Sequence, residues 1–269
     1  MFSISGASSA LAAWPKCRRT PPCAKPIWEF DAMLTVSNLT AGYGVPNILQ
    51  GLDITVRPGE MVGLVGANGA GKTTLVRVLA GLLPARGGSI TINGSDTTNV
   101  PAHARPKLGL AIVLENRNLF GELTVAENLR LAERAGANRP KKFDIPRIVE
   151  MFPAVGEKMA VRCDLLSGGQ QQMVAIARAL LLQPDVVIMD EPSTGLAPKV
   201  VKAILEVLRG LCSEGMSIVL IEQNIGIASS VTQRAYVLST GRIVHHVADG
   251  GWPAFLHDPH LVSRYLGQH

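Results

Sequence analysis

Lys72, Thr73, Asp190 and Glu191 are the side chains in this sequence best suited to phosphoanhydride chemistry. Lys72 and Thr73 close the run Gly66-Ala67-Asn68-Gly69-Ala70-Gly71-Lys72-Thr73-Thr74, which fits the pattern G-x-x-x-x-G-K-[ST]. A glycine-rich loop lets backbone wrap closely around a phosphate. The unpaired N–H groups and dipole of a following helix favour the anion. Lys72 can reach β- and γ-phosphates and the Thr73 hydroxyl can ligate Mg²⁺. Candidate nucleotide contacts are therefore Gly66, Asn68, Gly69, Ala70, Gly71, Lys72, Thr73 and Thr74. Asp190-Glu191 follows the apolar run Val186-Val187-Ile188-Met189. Asp190 at the carboxyl end of such a strand can hold the Mg²⁺ shell, and Glu191 can orient or deprotonate an attacking water.

These groups need a rigid frame, and the flanking sequence supplies one. Met61-Val62-Gly63-Leu64-Val65 reads as a buried parallel strand entering the glycine-rich loop. Leu75, Val76, Val78, Leu79, Leu82 and Leu83 recur at helical spacing after it. Leu110-Ala111-Ile112-Val113-Leu114 and Ile218-Val219-Leu220-Ile221 read as further buried strands. Leu34-Thr35-Val36 and residues 48–56 read as strands of an antiparallel edge layer, and Ser89-Ile90-Thr91-Ile92 as a strand leaving into the turn Asn93-Gly94. Ala235-Tyr236-Val237-Leu238 and Arg242-Ile243-Val244 predict a hairpin about Ser239-Thr240-Gly241, and a short helix is expected over residues 260–265. Residues 115 to about 165 predict a helical insertion: Thr124-Val125-Ala126-Glu127 forms a capping box, and a second amphipathic helix runs over residues 145–152. The fold class is α/β, with an antiparallel β layer and a helical lobe.

Composition bounds the partners. The length of 269 residues is ample for a core. Net charge is +5 without a dense Lys/Arg run, which gives nucleic-acid binding no support. Cys17, Cys23, Cys163 and Cys212 form no Cys-x-x-Cys and no zinc spacing, so reduced thiols are expected. No apolar run approaches the length of a membrane span. Residues 1–32, broken by Pro15, Pro21, Pro22 and Pro26, read as a disordered extension or a misassigned start, with the folded pattern beginning at Met33.

Leu166-Ser167-Gly168-Gly169-Gln170 narrows the reading. Together with the phosphate loop and Asp190-Glu191, it makes residues 33–269 resemble the ABC-transporter ATPases, P-loop NTPases that bind ATP with Mg²⁺. The resemblance implies that Ser167, Gly168, Gly169 and the adjoining Gln170 meet the γ-phosphate of ATP held by a second subunit, in a sandwich dimer. It implies that Tyr43 stacks on adenine. Glu115 falls where the family usually has a Gln that touches Mg²⁺, Gln223 where a His usually contacts the γ-phosphate, and Ala197 where Asp is usual. Glu115 keeps an oxygen ligand but adds charge. Gln223 can donate a hydrogen bond but is never cationic.

Asn116-Arg117-Asn118-Leu119-Phe120, Pro192-Ser193-Thr194-Gly195-Leu196-Ala197-Pro198 and Ile221-Glu222-Gln223-Asn224 look like the ATPases of branched-chain amino acid importers. That resemblance implies two permease subunits, a second and paralogous ATPase, a substrate-binding protein outside the membrane, and a peripheral place on the cytoplasmic face of the plasma membrane. Importers of urea, short amides or other polar amino acids stay open as alternatives. So does an ABC ATPase without a permease, although such proteins usually carry two cassettes or long coiled-coil insertions. A P-loop kinase would have no use for Leu-Ser-Gly-Gly-Gln.

Overall fold

The computed structural model describes residues 32–258 and Leu261. The extension expected over residues 1–32 and the helix expected over residues 260–265 therefore lie outside the described residues, Ala32 and Leu261 apart.

Two sheets enclose the first helix. The smaller is antiparallel with strand order β2-β1-β4-β5, from β1 (Leu34–Ala41), β2 (Leu49–Val56), β4 (Gly87–Ile92) and β5 (Ser95–Asp96). Along β1, Leu34, Val36, Leu39 and Ala41 are buried. Asn38, at positive φ, marks a register shift that keeps both halves of the strand facing inward. The larger sheet has six strands, ordered β10-β9-β3-β8-β7-β6: β3 (Met61–Val65), β6 (Leu110–Val113), β7 (Val186–Asp190), β8 (Ser217–Glu222), β9 (Arg234–Ser239) and β10 (Arg242–Val247). Its pairs are parallel except for the β9–β10 hairpin. Every residue of β3, β7 and β8 is buried, which explains why these strands read as unbroken apolar runs rather than alternating ones.

Between the sheets lies α1 (Lys72–Leu79), whose Leu75, Val76, Val78 and Leu79 join one core with both sheets. The helix stops earlier than its apolar spacing predicts. Leu82 donates its N–H to the Arg77 carbonyl, Gly81 donates to Val78, and Gly81 takes φ +72°. This is a Schellman ending, and it turns Leu82 out to solvent.

The other face of the large sheet carries α2 (Val125–Gly136), α3 (Ile145–Met151), α4 (Pro153–Gly156), α5 (Gly168–Leu181) and α6 (Pro198–Ser213). The Thr124–Glu127 capping box forms at α2, and Pro198 opens α6. The helices of residues 115–165 share one apolar core with α5 and α6 through Leu129, Phe143, Ile148 and Phe152. Two further helices are not evident from the sequence: α7 (Ile225–Val231) packs on β3 and β8, and α8 (Trp252–Leu256) brings Trp252 and Phe255 into one apolar core with α7, β9 and β10.

Candidate functional site

The parallel register collects the chemical groups along one edge. Val65 at the end of β3 lies opposite Glu222 of β8. Asp190 at the end of β7 lies opposite Ile221, and Met189 opposite Val113 of β6. The phosphate loop, Gln223, Asp190-Glu191 and Glu115 thus all follow the carboxyl ends of neighbouring strands, where open α/β sheets place their ligands.

The loop between β3 and α1 is held from both sides. Gly241, in the β9–β10 turn, donates its N–H to the Ala70 carbonyl at 2.9 Å. Gly66 tolerates no side chain, because a Cβ there would stand 2.4 Å from the Leu238 carbonyl oxygen. Gly71 caps α1 at φ +112°, a backbone open to glycine alone at little cost. Lys72, only 5% exposed, folds back over the loop. Its Nζ donates to the carbonyls of Gly66 at 2.8 Å and Ala67 at 3.2 Å, and it lies 3.2 Å from Glu191 Oε1.

A cavity of about 290 Å³ opens here, lined by Asn68, Gly69, Gly71, Lys72, Thr73, Thr74, Glu115 and Glu191, with Ile48 at its side. Gly66 and Ala70 form the loop behind it. A larger cavity of about 790 Å³ lies between α6 and α7 and holds neither the glycine-rich loop nor Lys72. The smaller one has the chemistry of a phosphate site.

The electrostatics suit a divalent cation. Asp190 is buried, and its carboxyl is pushed up to about 6 by burial first and then by the Glu191 and Glu115 carboxylates; Lys72 offsets only part of this. Carboxylates outnumbering the one lysine at the cavity leave a negative excess that Mg²⁺ would neutralise. No cluster of three or more His, Cys, Asp or Glu side chains among the described residues could cage a metal alone. Mg²⁺ does not need one: it keeps several waters and takes one or two protein groups plus substrate phosphates. Exposed Thr73 and Glu115 at the cavity wall, with Asp190 behind them, fit that role.

Glu191 occupies the left-handed region at φ +48°, held by its N–H to the Ile221 carbonyl and by the Thr194 hydroxyl on Oε2. Non-glycine residues so placed are costly and gather at functional sites. The bend carries Glu191 off the sheet and into the cavity.

Other expected residues stand apart. Gln223 is exposed and lines the larger cavity with Ser193 and Thr194, not the phosphate-loop cavity. Tyr43 is 56% exposed; Arg77 lies over its ring at 5.6 Å and donates to its hydroxyl at 2.9 Å. Arg77 sits on α1 itself, so the ring is tethered to the helix that follows the phosphate loop.

Ser167, Gly168, Gly169 and Gln170 are likewise absent from the phosphate-loop cavity. They form the start of α5, where Ser167 and Gln170 make a capping box. Gly169 has a packing reason as well: a Cβ there would stand 2.8 Å from Val200 Cγ1 of α6. Sequence reasoning assigned no role to Arg117, whose guanidinium lies beside this helix start; its place two residues after Glu115 was the available signal.

The ABC transporter family profile matches residues 49–194. The chain is 39% identical over 87% of its length to the high-affinity branched-chain amino acid transport ATP-binding protein BraG of Pseudomonas aeruginosa, covering 100% of that protein. It is 35% identical over 78% of its length to the probable branched-chain amino acid transport ATP-binding protein LivF of Archaeoglobus fulgidus, covering 90% of it. Among solved structures, the ADP conformation of an ATP-binding cassette of an ABC transporter superposes with a TM-score of 0.77 at 28% identity, over 88% of this chain and 99% of that one.

Proposed function

This chain belongs to the ABC transporter ATPase family and is an ATP-hydrolysing subunit, and from that premise we propose that it powers import of branched-chain amino acids, paired with a second ATPase beneath two permeases. The observation that carries the chemical reading is the convergence of the glycine-rich loop, Lys72, Thr73, Glu115 and Glu191 on one cavity. Similarity to BraG and LivF supports the substrate class.

In this reading the loop amides and Lys72 bind the β- and γ-phosphates, and Lys72 exchanges its contact with Glu191 for phosphate oxygens. Thr73, Glu115 and Asp190 hold Mg²⁺, which supplies charge neutralisation at the phosphates when bound. Glu191, freed from Lys72, orients the attacking water. Gln223 donates a hydrogen bond toward the γ-phosphate as the site closes. Tyr43 offers its ring to adenine. Ser167, Gly168, Gly169 and Gln170 meet the γ-phosphate bound by the second ATPase, with the α5 N-terminus favouring the anion.

A groove of about 360 Å³ suits a permease segment. It is lined by Leu114, Arg117, Phe120, Leu131 and Arg178 among others, and Phe120 and Leu131 are large apolar residues left exposed. Leu114 precedes Glu115 and Arg117 lies two residues after it, so a segment seated there bears on the loop that lines the phosphate cavity. The substrate-binding protein lies outside the membrane and touches only the permeases. The subunit itself sits at the cytoplasmic face of the plasma membrane, and no described helix is long and apolar enough to cross it.

The test is a pair of variants. Lys72→Ala should lose ATP binding, since a charge-assisted phosphate contact disappears. Glu191→Gln should bind ATP normally and turn over no substrate. Uptake of leucine, isoleucine and valine by the assembled transporter then checks the cargo. Normal nucleotide affinity in Lys72→Ala would refute the site, and transport of another solute class alone would refute the cargo.

A further inference from the structure

We infer that Arg117 is a positioning residue that ties the Glu115 loop to the first turns of α5, the helix whose start carries Ser167-Gly168-Gly169. The inference rests on the sandwich reading proposed above.

The loop after β6 is built to place this side chain. Arg117 and Asn118 take φ +60° and +45°, a consecutive left-handed pair of non-glycine residues. Such backbone persists only where the surroundings enforce it. Here Arg117 donates its N–H to the Leu114 carbonyl, and Arg178 of α5 donates to the Asn118 carbonyl at 2.7 Å. The Arg117 guanidinium then reaches back to α5: Nε donates to Gln172 Oε1 and Nη1 to Gln171 Oε1, each at 3.2 Å. Nη2 lies 3.3 Å from where a Gly168 Cβ would stand.

Stability alone does not account for this placement. A cation at a helix N-terminus faces the positive end of the dipole and is disfavoured there. No ion pair among the described residues offers Arg117 a carboxylate. The planar fork instead fixes two glutamine carbonyls at once, a geometry that lysine cannot copy. Gln171 also donates Nε2 to the Cys163 carbonyl at 3.0 Å, so the fork is anchored to the turn leading into α5. Buried Gln172 leaves its Nε2 without a partner, so its carbonyl bond to Arg117 is the bond that holds its amide. One side chain thereby links the loop that carries Glu115 to Gln171 and Gln172 in the first turns of α5.

The experiment uses the assembled transporter for turnover and the isolated chain for ATP affinity. Arg117→Ala should lower kcat by about tenfold or more, as misplacement of reacting groups does, while the Kd for ATP stays within about twofold. Arg117→Lys should recover only part of the loss, and it carries the test if the alanine variant does not fold. Gln171 does not line the permease groove, so the cycle of Arg117→Ala with Gln171→Ala separates positioning from docking. The double variant should be no slower than Arg117→Ala alone. Unchanged kcat, Kd weakening in step with kcat, or effects that multiply would overturn the inference. A wild-type chain that fails to bind ATP would instead overturn the ATPase reading.

Discussion

Asp190→Asn should make the nucleotide-free chain more stable while destroying its function. Burial, then the Glu191 and Glu115 carboxylates, lift the Asp190 carboxyl from 3.8 to about 6. At ~1.4 kcal/mol for each pH unit, keeping it ionised at neutral pH costs the fold about 3 kcal/mol. The sign follows from the direction. A raised carboxyl contributes stability that is fully present below its unfolded value and lost as pH rises through about 6. Asparagine keeps the size, and it keeps an acceptor for the Glu115 amide that bonds this carboxyl, but carries no charge. The variant should therefore gain roughly 2–3 kcal/mol at pH 7.5, a Tm rise of about 5–10 °C in a domain of this size. Scanning calorimetry in EDTA at pH 7.5 and pH 5 tests both halves: the gain should shrink at the lower pH, where wild-type Asp190 is itself protonated. Adding Mg²⁺ and ATP should stabilise the wild type and leave the variant nearly unmoved. A variant melting at or below wild type at pH 7.5, or with equal gains at both pH values, would refute the argument.

Gly169→Ala should destabilise by about 1–3 kcal/mol through overpacking against Val200, and Val200→Ala should restore most of the lost Tm; a neutral Gly169→Ala would remove the packing role. Gln223→His adds a donor that can become cationic near the developing phosphate charge, worth roughly 1–3 kcal/mol in a preorganised site. The lone chain should then hydrolyse ATP several-fold faster, and an unchanged rate would show that Gln223 stays outside the working site.

The parts of the site legible in the sequence are those whose chemistry is local. The glycine-rich loop, Lys72 and Thr73 lie within one strand–loop–helix unit. Asp190-Glu191 announces itself because both faces of β7 are buried, leaving an apolar run that ends in two acids. The capping boxes at Thr124 and Ser167 are four-residue signals, closed by Glu127 and Gln170. What escaped depends on contacts far apart in the chain. The early end of α1 is masked by Leu82 and Leu83, which continue the helical spacing while Gly81, at φ +72°, closes the helix. α7 and α8 carry few strongly periodic positions and gain their burial from distant strands, α7 on β3 and β8 and α8 beside β9 and β10. Arg117 is an ordinary loop arginine until folding brings Gln171 and Gln172 to it across more than fifty intervening residues.

The same geometry bears on why one copy should be an incomplete enzyme. Glu115, Lys72 and Glu191 share a cavity, yet Ser167, Gly168 and Gly169 do not line it. The Ser167 hydroxyl already serves the α5 cap, so what the helix start can offer a phosphate is chiefly backbone N–H groups and dipole. Such groups act on an anion brought to them. In the proposed sandwich that anion is the partner's γ-phosphate, and the partner's helix start serves this chain's cavity in turn. The departures at Glu115, Ala197 and Gln223 then have different consequences. Glu115 lines this chain's own phosphate cavity, where it adds negative charge, whereas Gln223 lines the neighbouring cavity and, in the proposed reading, reaches the γ-phosphate only as the site closes, with no cation to offer. Ala197 is the N-cap residue of α6 and makes no side-chain cap, so it withholds a polar group from the loop after Glu191. A second ATPase carrying Asp in place of Ala197 and His in place of Gln223 would offer the pair one better-equipped site, which favours a heterodimer over two copies of this chain.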